Sequence, residues 1–526
     1  AAVAADSKLC SDIGKEMLLQ GGSAVDGAIA ALLCTSVVNP QSMGIGGGSI
    51  LAIRNKTGNV TVYNFRETVP KLFKTNLVGR AVSLAMSCSQ WIGVPGELRG
   101  YEAVHKLYGK LPWAKLFEPT IKLARKGIPM PPYLSSDISE RQIFINKFIL
   151  LEVLCSKNNV SLGKEEILKF PKLAETMETI AKQGADAFYN GKIGQDLIQD
   201  IKNAGGTLSM EDLRSFKVQV GNAWTVPLGN IRMHIPPPPS GGPLLAFILG
   251  IMKDYSFTAG SPNVNEKIQM YHHYIEAVKF ANGQKKSIRD PIFSDQKVTI
   301  KNVISHSFSN RIRKMISPNS THENTYYNNV EPPFDNFGTT HVSVMDQNGL
   351  VVSATSTINQ LFGGAVYSPR TGIILNNELA DFCFHIATNN FCSTVHDFCL
   401  SPVGERPPSS MAPTILESKS GGVLAIGGSG GSMITTAMAL VILMACFFKY
   451  TLEAALSQSR LHNSVLHNYL NATRRFSLMV FNGLKGKEYN VNILTFFQAS
   501  IQSALNFGWG LETQQNHRYF SGVAGY

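Results

Sequence analysis

Threonine hydroxyls do chemistry only where something takes their proton, and the placing of two of them, Thr339 and Thr357, is the first thing to establish. They lie at the far ends of two arms, Gly338-Thr339-Thr340-His341-Val342-Ser343-Val344 and Leu350-Val351-Val352-Ser353-Ala354-Thr355-Ser356-Thr357-Ile358-Asn359, linked through Met345 and Asp346-Gln347-Asn348-Gly349. Asn-Gly between arms rich in Val, Ile and Thr signals a hairpin. A three-residue loop closing on a left-handed Gly349 pairs position 346 with 350 and, counted back, sets Thr339 opposite Thr357. Facing hydroxyls of this kind make an ordinary cross-strand Thr–Thr pair unless the rest of the chain gives them another task. Arg66 leaves the run Val60-Thr61-Val62-Tyr63-Asn64-Phe65 as a surface charge or as a fork for a carboxylate. Glu378 and Asp381, with Asn376 and Asn377, follow Gly372-Ile373-Ile374-Leu375 and either receive an ammonium group or cap the next turn.

A third group of residues is glycine-rich. Val423-Leu424-Ala425-Ile426 enters Gly427-Gly428-Ser429-Gly430-Gly431-Ser432, and a helix is predicted from near Met433. Strand, glycine loop and helix start make a nest of backbone N–H groups for an anion. The loop lacks Gly-Lys-Ser/Thr, which argues against a nucleotide phosphate loop. It also fits Gly-x-Ser-x-Gly, with Ser429 as the nucleophile of an α/β-hydrolase elbow and Glu453 followed by His462 or His467 as its partners.

Positioning these groups requires elements on both sides of the hairpin. Asp6 to Gln20 reads as a helix stopped by Gly21-Gly22, and Ser23 to Cys34 as a second helix capped by Ser23. Met43-Gly44-Ile45-Gly46-Gly47-Gly48 precedes the strand Ile50-Leu51-Ala52-Ile53 and points to close backbone packing. Residues 100 to 330 read mostly as helices: Tyr101–Tyr108, Glu118–Lys126 with Pro119 in its first turn, Lys172–Gly184, Gly194–Ala204 and Glu266–Ala281. Pro236-Pro237-Pro238-Pro239 is a stiff wall or linker. No repeats or long low-complexity tracts occur, so one continuous domain is expected.

With 526 residues, 44% hydrophobic and 16% charged, the chain can bury a large core. Its net charge of +11 is scattered rather than gathered into a stripe, which argues against a nucleic-acid partner. The start, Ala1-Ala2-Val3-Ala4-Ala5-Asp6, has no basic n-region or apolar h-region, so the sequence is read as beginning after a processed or omitted segment. The longest apolar run, Ala437 to Phe448, is too short to span a bilayer and reads as a core helix. Eight cysteines show no metal-ligand spacing. Cys10 and Cys34 lie 11 or 12 residues from the helical turn on either arm, so antiparallel helices bring them together, as a bridge or as buried thiols. Sequons for N-glycosylation stand at Asn55, Asn59, Asn159, Asn319 and Asn471.

Taken in order, the motifs Gly338 to Ser343, Ser353 to Asn359, Asn376-Asn377-Glu378, Pro408-Ser409-Ser410-Met411 and Gly427 to Gly431 resemble those of the γ-glutamyltransferases, also called γ-glutamyl transpeptidases or glutathione hydrolases. The likeness runs from residue 1 to about 465 and faintly to Ala524-Gly525-Tyr526. Ser36 to Gly44, Gln90 to Leu98 and Val366 to Gly372 look most like the γ-glutamyl leukotrienase branch. The resemblance implies an α+β fold, a four-layer αββα sandwich of the N-terminal-nucleophile hydrolase type. It implies a proenzyme that cuts itself into a large chain, 1–338, and a small chain, 339–526, which stay together as a heterodimer. It further implies Thr339 as nucleophile, Thr357 as its orienting partner, and Gly430 and Gly431 as oxyanion donors. Arg66 with Ser409 and Ser410 would hold the α-carboxylate of a γ-glutamyl substrate, and Asn359, Glu378 and Asp381 its ammonium. Implied substrates are γ-glutamyl compounds, glutathione conjugates and leukotriene C4, with no cofactor and no metal. A Cys10–Cys34 disulfide and a membrane anchor upstream of this chain, at the outer face of the plasma membrane, are implied as well, secretion being the alternative.

Several positions depart from the family pattern. Phe337 replaces a small residue two places before the cut, which predicts slow self-cleavage, and Thr340 beside Thr339 leaves two hydroxyls from which to choose. Gln360-Leu361 removes a tyrosine lid and predicts an open acceptor side. Cys155 lacks a partner at Leu151, Cys383, Cys392 and Cys399 are additional, and the likeness fades from Arg474 to Gln515. The competing readings are an uncleaved, non-catalytic binding protein and the Ser429 hydrolase.

Overall fold

The computed structural model describes residues 1–73, 89–131, 134–135, 154, 162–163, 166–256, 262–294, 297–329, 338–382, 402–464, 469–473, 476–494, 500–506, 511–515 and 522–525. Phe337, Asn159, His467 and the cysteines at 88, 155, 383, 392 and 399 lie outside these, so the expectations placed on them do too.

The principal elements, in chain order, are β1 (Ala2–Ala5), α1 (Lys8–Leu19), α2 (Ala24–Val38), β2 (Gly48–Arg54), β3 (Val60–Asn64), α3 (Glu97–Tyr108), α4 (Trp113–Lys126), α5 (Pro171–Gln183), α6 (Lys192–Asn203), β4 (Gln219–Asn222), β5 (Trp224–Leu228), β6 (Ile231–Ile235), α7 (Gly242–Met252), α8 (Val264–Asn282), β7 (Gly338–Met345), β8 (Val351–Asn359), β9 (Thr414–Ser418), β10 (Val423–Ser429), α9 (Met433–Cys446), β11 (Ser500–Asn506), β12 (Leu511–Gln515) and β13 (Gly522–Gly525). They form two antiparallel sheets, one of seven strands in the order β13-β1-β7-β8-β2-β3-β4 and one of six in the order β12-β11-β10-β9-β6-β5.

Alternation along the strands sorts side chains into layers, because successive residues point to opposite faces. Leu51, Ile53, Val342, Val344, Val352 and Ala354 face an outer helical layer that includes Ile29, Leu32 and Leu33 of α2. Their neighbours Ile50, Ala52, Met345 and Val351 face inward and meet Ile415 and Ala425 of the second sheet. The other face of that sheet, with Met233, Leu416, Leu424 and Ile426, is covered by α7, α8 and α9. The result is helices, sheet, sheet, helices: the αββα sandwich. α2 is apolar on all sides and wholly buried, as expected of a helix packed against its neighbours and the sheet.

Local chemistry explains how the first helices turn. Ser23 Oγ accepts the Asp26 N–H, and the Ser23 N–H donates to Asp26 Oδ2 at 2.8 Å, a reciprocal cap that starts α2. Gly21, at φ +88°, ends α1. Cys10 and Cys34 are disulfide-bonded across the helical pair, with Cα atoms 5.3 Å apart.

Three expectations need correction. α4 starts at Trp113, so Pro119 lies inside the helix rather than in its first turn. The apolar residues Leu116 and Phe117, both buried, extend the amphipathic stripe upstream and outweigh the one ladder bond that proline cannot make. Residues 219–235 are strands, not helix: β4 is a largely exposed edge strand whose polar sequence lacks the buried alternation that signals a strand. The third correction concerns the central hairpin. Its loop forms as read: the Asp346 N–H donates to the Leu350 carbonyl at 3.0 Å and Gly349 takes φ +83°. The register then holds through Ser343–Ser353, His341–Thr355 and Thr340–Ser356 but slips before the next rung, so Gly338 faces Asn359. The cause is local, because Asn359 adopts φ +76° and its N–H turns back to Thr357 Oγ1 at 2.8 Å.

Candidate active site

Thr340 and Thr339 point to opposite faces of β7 and so have different surroundings. Thr340 Oγ1 donates to the buried carboxylate of Asp6 in the outer layer. Thr339 is on the face that carries His341 and turns toward the second sheet, with 8% of its surface exposed. Thr357 Oγ1 donates to the carbonyl oxygen of Gly338, the residue just before Thr339. The Asn359 N–H donates to that same hydroxyl oxygen, which directs the Thr357 proton onto the Gly338 carbonyl.

Gly47 and Gly48 back this arrangement. A Cβ on Gly47 would lie 2.1 Å from the Thr357 carbonyl oxygen, and one on Gly46 would lie 2.3 Å from that of Ile374, so the loop before β2 is glycine because backbone meets backbone. The close packing read from the sequence is present.

β10 runs across the inner face of the hairpin. Ser353 Oγ donates to the Ile426 carbonyl at 3.1 Å, and the His341 ring occupies the space a side chain at Gly427 would need. From these contacts β7 continues toward Thr339 and β10 toward Gly430 and Gly431. Those two glycines take φ +111° and +57°. Neither donates its N–H to an acceptor among the described residues, while their carbonyls accept from Met433 and Ile434 at the start of α9. His341 itself is no base: burial lowers its pKa to about 3, and its ring is held between Thr355 at 2.8 Å and Ser343 at 3.0 Å.

Arg66 is buried, and four of its five side-chain N–H groups are engaged. Its Nε donates to the Pro407 carbonyl at 2.8 Å, and Nη2 to the Pro408 carbonyl at 2.8 Å and to Asp381 Oδ2 at 2.6 Å. Nη1 donates to Glu378 Oε1. The fork therefore staples the 407–410 segment beside itself and brings Ser409 and Ser410 along. Ser409 is fixed in turn by its N–H on the Pro239 carbonyl at 2.7 Å and by its Oγ, which accepts the Met411 N–H. Of the wall and the linker read for Pro236–Pro239, this contact fits the wall.

Glu378 and Asp381 sit in a short 3-10 turn, and of the two alternatives it is Asn376 that does the bracing. Asn376 accepts from the Gly93 and Glu378 N–H groups and donates to the Gly46 and Gly93 carbonyls. Asn359 Nδ2 donates to the Asn377 carbonyl at 3.0 Å, which ties the end of β8 to the same turn. Burial raises the Glu378 pKa although Arg66 opposes the shift, and Glu378 Oε2 has no hydrogen-bond partner among the described residues. Glu67 is more extreme. Both of its carboxylate oxygens are buried, and burial together with the neighbouring Glu378 pushes its pKa well up, against the opposing pull of Arg66.

The sequence reading grouped Thr339, Thr357, Arg66, Glu378, Asp381, Asn359, Ser409, Ser410, Gly430 and Gly431, and the fold brings the elements that carry them to one end of the sandwich. It passed over Asp6, Glu67 and Glu97. Asp6 read as the start of a helix, and the other two gave no signal, since a buried acid is recognisable only from its surroundings.

Among the described residues, which leave out His467, the Ser429 alternative is not assembled. Ser429 ends β10 without the positive φ of a nucleophile elbow, the left-handed residues being Gly430 and Gly431. His462 Nδ1 lies 3.2 Å from Thr436 Oγ1, and Glu453 is exposed on a separate helix.

Two antiparallel sheets packed face to face between helical layers make the αββα sandwich of the N-terminal-nucleophile hydrolase type. The fold is shared with cephalosporin acylase from Bacillus halodurans at a TM-score of 0.86, with 21% identity over all of this chain and 95% of that one. Residues 10–526 match the family described as gamma-glutamyltranspeptidase, and the chain belongs to that family and is an enzyme of it. It is 43% identical to "Glutathione hydrolase 5 proenzyme" of Rattus norvegicus, over 97% of this chain and 89% of that protein. It also resembles the gamma-glutamyltranspeptidase of Helicobacter pylori, at 26% identity and a TM-score of 0.55 over 60% of this chain and 92% of that one.

Proposed function

We propose that this protein is a γ-glutamyl hydrolase and transferase that becomes active by cutting itself before Thr339. The observation that carries the reading is the Thr357 hydroxyl donating to the Gly338 carbonyl, because a polarised carbonyl is what an attacking hydroxyl needs. In the precursor, Thr339 Oγ bonds to the Gly338 carbonyl carbon, the Gly338–Thr339 peptide bond breaks, and the Thr339 nitrogen gains a proton. Water then hydrolyses the resulting ester, leaving the Gly338 carboxylate on a large chain, 1–338, and a free amine on a small chain, 339–526.

That amine, with an ordinary pKa of about 7.7 to 8.0, is the general base for its own hydroxyl near neutral pH. Thr339 attacks the γ-amide carbonyl of the donor, Gly430 and Gly431 offer N–H groups to the oxyanion, and the departing amine takes the proton. Water or the amine of an amino acid or dipeptide then accepts the γ-glutamyl group from its threonine ester. Arg66, with Ser409 and Ser410, holds the α-carboxylate of the donor. Asn359, Asp381 and the vacant Oε2 of Glu378 receive its α-ammonium. Arg66 pairs with Glu378 and Asp381 in the protein alone, so the donor's carboxylate takes over the guanidinium while its ammonium compensates the two acids left behind.

The donors are glutathione, its S-conjugates and leukotriene C4, the last from the likeness to the leukotrienase branch and the open acceptor side at Gln360-Leu361. The Cys10–Cys34 bridge fits an oxidising, extracellular setting, at the outer face of the plasma membrane or in secreted form. Among the described residues no helix is long and apolar enough to cross a membrane.

The test is a denaturing gel with N-terminal sequencing, alongside release of a γ-glutamyl chromophore. Expected are two fragments, the smaller starting at Thr339, with both cleavage and turnover abolished in Thr339→Ala and retained in Ser429→Ala. A Thr339→Ala chain that still turns over substrate overturns the mechanism.

A further inference from the structure

Self-cleavage creates a mechanical problem at the nucleophile. After the cut, Thr339 is the first residue of a chain, and its preceding neighbour, Gly338, which faces Asn359, has left with the other chain. Free chain ends fray, and a hydroxyl that must lie within attack distance of a carbonyl tolerates little of that. The regular register of β7 with β8 begins only at the Thr340–Ser356 rung. What fixes that rung fixes Thr339.

Two buried acids of the large chain hold it. β1 pairs with β7 as far as Ala4–Ser343 and then ends at Ala5, leaving the edge of β7 open at residues 340 and 341. Asp6, the next residue, fills the gap: its carboxylate accepts Thr340 Oγ1 and the His341 N–H. On the other strand of the rung, Ser356 Oγ donates to Glu97 Oε1 at 3.0 Å, and Glu97 is itself held by Ser49 Oγ at 2.7 Å and by Tyr101 at 2.5 Å. All these groups lie on the helical side of the sheet, away from the face that Thr339 presents to the glycine loop.

We propose that Asp6 is a positioning residue for Thr339. It acts through Thr340 across the boundary between the two chains, with Glu97 and Ser356 as the matching tie on β8. The inference rests on the self-cleavage read above. Asp6 touches neither substrate nor the reacting atoms; it sets where the strand that bears them begins.

Thr340→Val keeps the shape of the side chain and removes the donor, and Thr340→Ser keeps the donor. In processed enzyme, Thr340→Val is expected to lower kcat by about 100-fold with KM for a γ-glutamyl anilide changed less than about threefold, because misplacing a reacting group by about 1 Å costs that much. Self-cleavage, followed on a denaturing gel, slows in parallel, and Thr340→Ser restores both. Asp6→Asn keeps an acceptor for only one of the two donors and gives a loss of about tenfold; it stands in should Thr340→Val not accumulate as folded protein. A thermal melt of each variant checks folding. Wild-type kcat in folded Thr340→Val or Asp6→Asn overturns the proposal, as does a loss that Thr340→Ser shares in full. Turnover by Thr339→Ala would instead overturn the threonine mechanism, so the two failures are told apart.

Discussion

At the scale of single residues, the charge balance of the site turns on Arg66. One guanidinium lies among Glu67, Glu378 and Asp381, and three ionised acids around one buried cation would leave a large uncompensated charge. Burial and repulsion among these acids raise the pKa of both Glu67 and Glu378, which the Arg66 cation opposes, so the site disfavours three ionised acids at once. Arg66 meets Glu378, Asp381 and two proline carbonyls with a planar fork, which a lysine cannot reproduce. Arg66→Lys is therefore expected to raise KM for a γ-glutamyl donor by at least about 30-fold, the lower end of what breaking a buried, hydrogen-bonded charge pair costs. Steady-state kinetics on the processed enzyme check this, and an unchanged KM would remove Arg66 from the substrate clamp. The sequence showed that a strand delivers this arginine and that a turn delivers the acids. That Arg66 and Glu378, 312 positions apart, face each other in the protein alone was not legible, because it depends on how the strands are ordered.

At the scale of elements, two devices hold the catalytic hairpin, and each makes a prediction. The first is the glycine loop before β2. Gly47→Ala would force a methyl to within 2.1 Å of the Thr357 carbonyl, backbone against backbone, whereas a Cβ on Gly44 meets nothing within 4 Å. Gly47→Ala is expected to give little cleaved protein and a destabilisation of about 1–3 kcal/mol, with Gly44→Ala close to wild type. Equal behaviour of the two in denaturant melts and on a gel would show that the loop does not brace Thr357. The second device is the buried Glu97, whose pKa burial raises to about 7 against three opposing hydrogen bonds. A raised carboxyl pKa means the native state keeps a proton that the unfolded chain has already lost above about pH 4. Stability from this group is thus full below that pH and falls by about 1.4 kcal/mol per unit until pH passes about 7. His341, lowered to about 3, works in the opposite sense up to about pH 6.5, so wild type alone would mask the slope. Comparison with Glu97→Gln removes the mask: the stability difference should move in favour of the glutamine variant by roughly 2–3 kcal/mol between pH 5 and 7.5. A difference that stays flat with pH refutes the buried, proton-holding acid. The hairpin, its loop and both N-terminal helices were legible because turn chemistry and periodicity are local. The slip at Thr357 was not, since it depends on one left-handed asparagine, and β4 was missed because an exposed edge strand carries no buried alternation.

At the scale of the molecule, the order of strands decides what self-cleavage does to the protein. The layered class was legible from motifs, but nothing local specifies that β13 and β7 flank β1, or that β10 meets β11 from the region where the likeness to the family fades. Those late strands nonetheless complete both sheets: β11 pairs with β10 from Val423–Asn506 to Ser429–Ser500, and β13 pairs with β1 from Ala2–Gly525 to Ala5–Gly522. If the chain is cut before Thr339, the first sheet reads small, large, small, small, large, large, large across its width, and the second has four strands of the small chain beside two of the large. Pulling the chains apart would break the β1–β7, β1–β13, β2–β8 and β6–β9 ladders together and expose the apolar faces between and outside the sheets. An interface of that kind resembles a domain core divided in two, and it has no separately folded halves. The cleaved protein is therefore expected to elute from a native sizing column as one species containing both fragments. Denaturant should separate and unfold them in a single transition with the same midpoint for tryptophan fluorescence and for fragment release. Appearance of a folded small chain alone at moderate denaturant would contradict the interleaved order of the sheets.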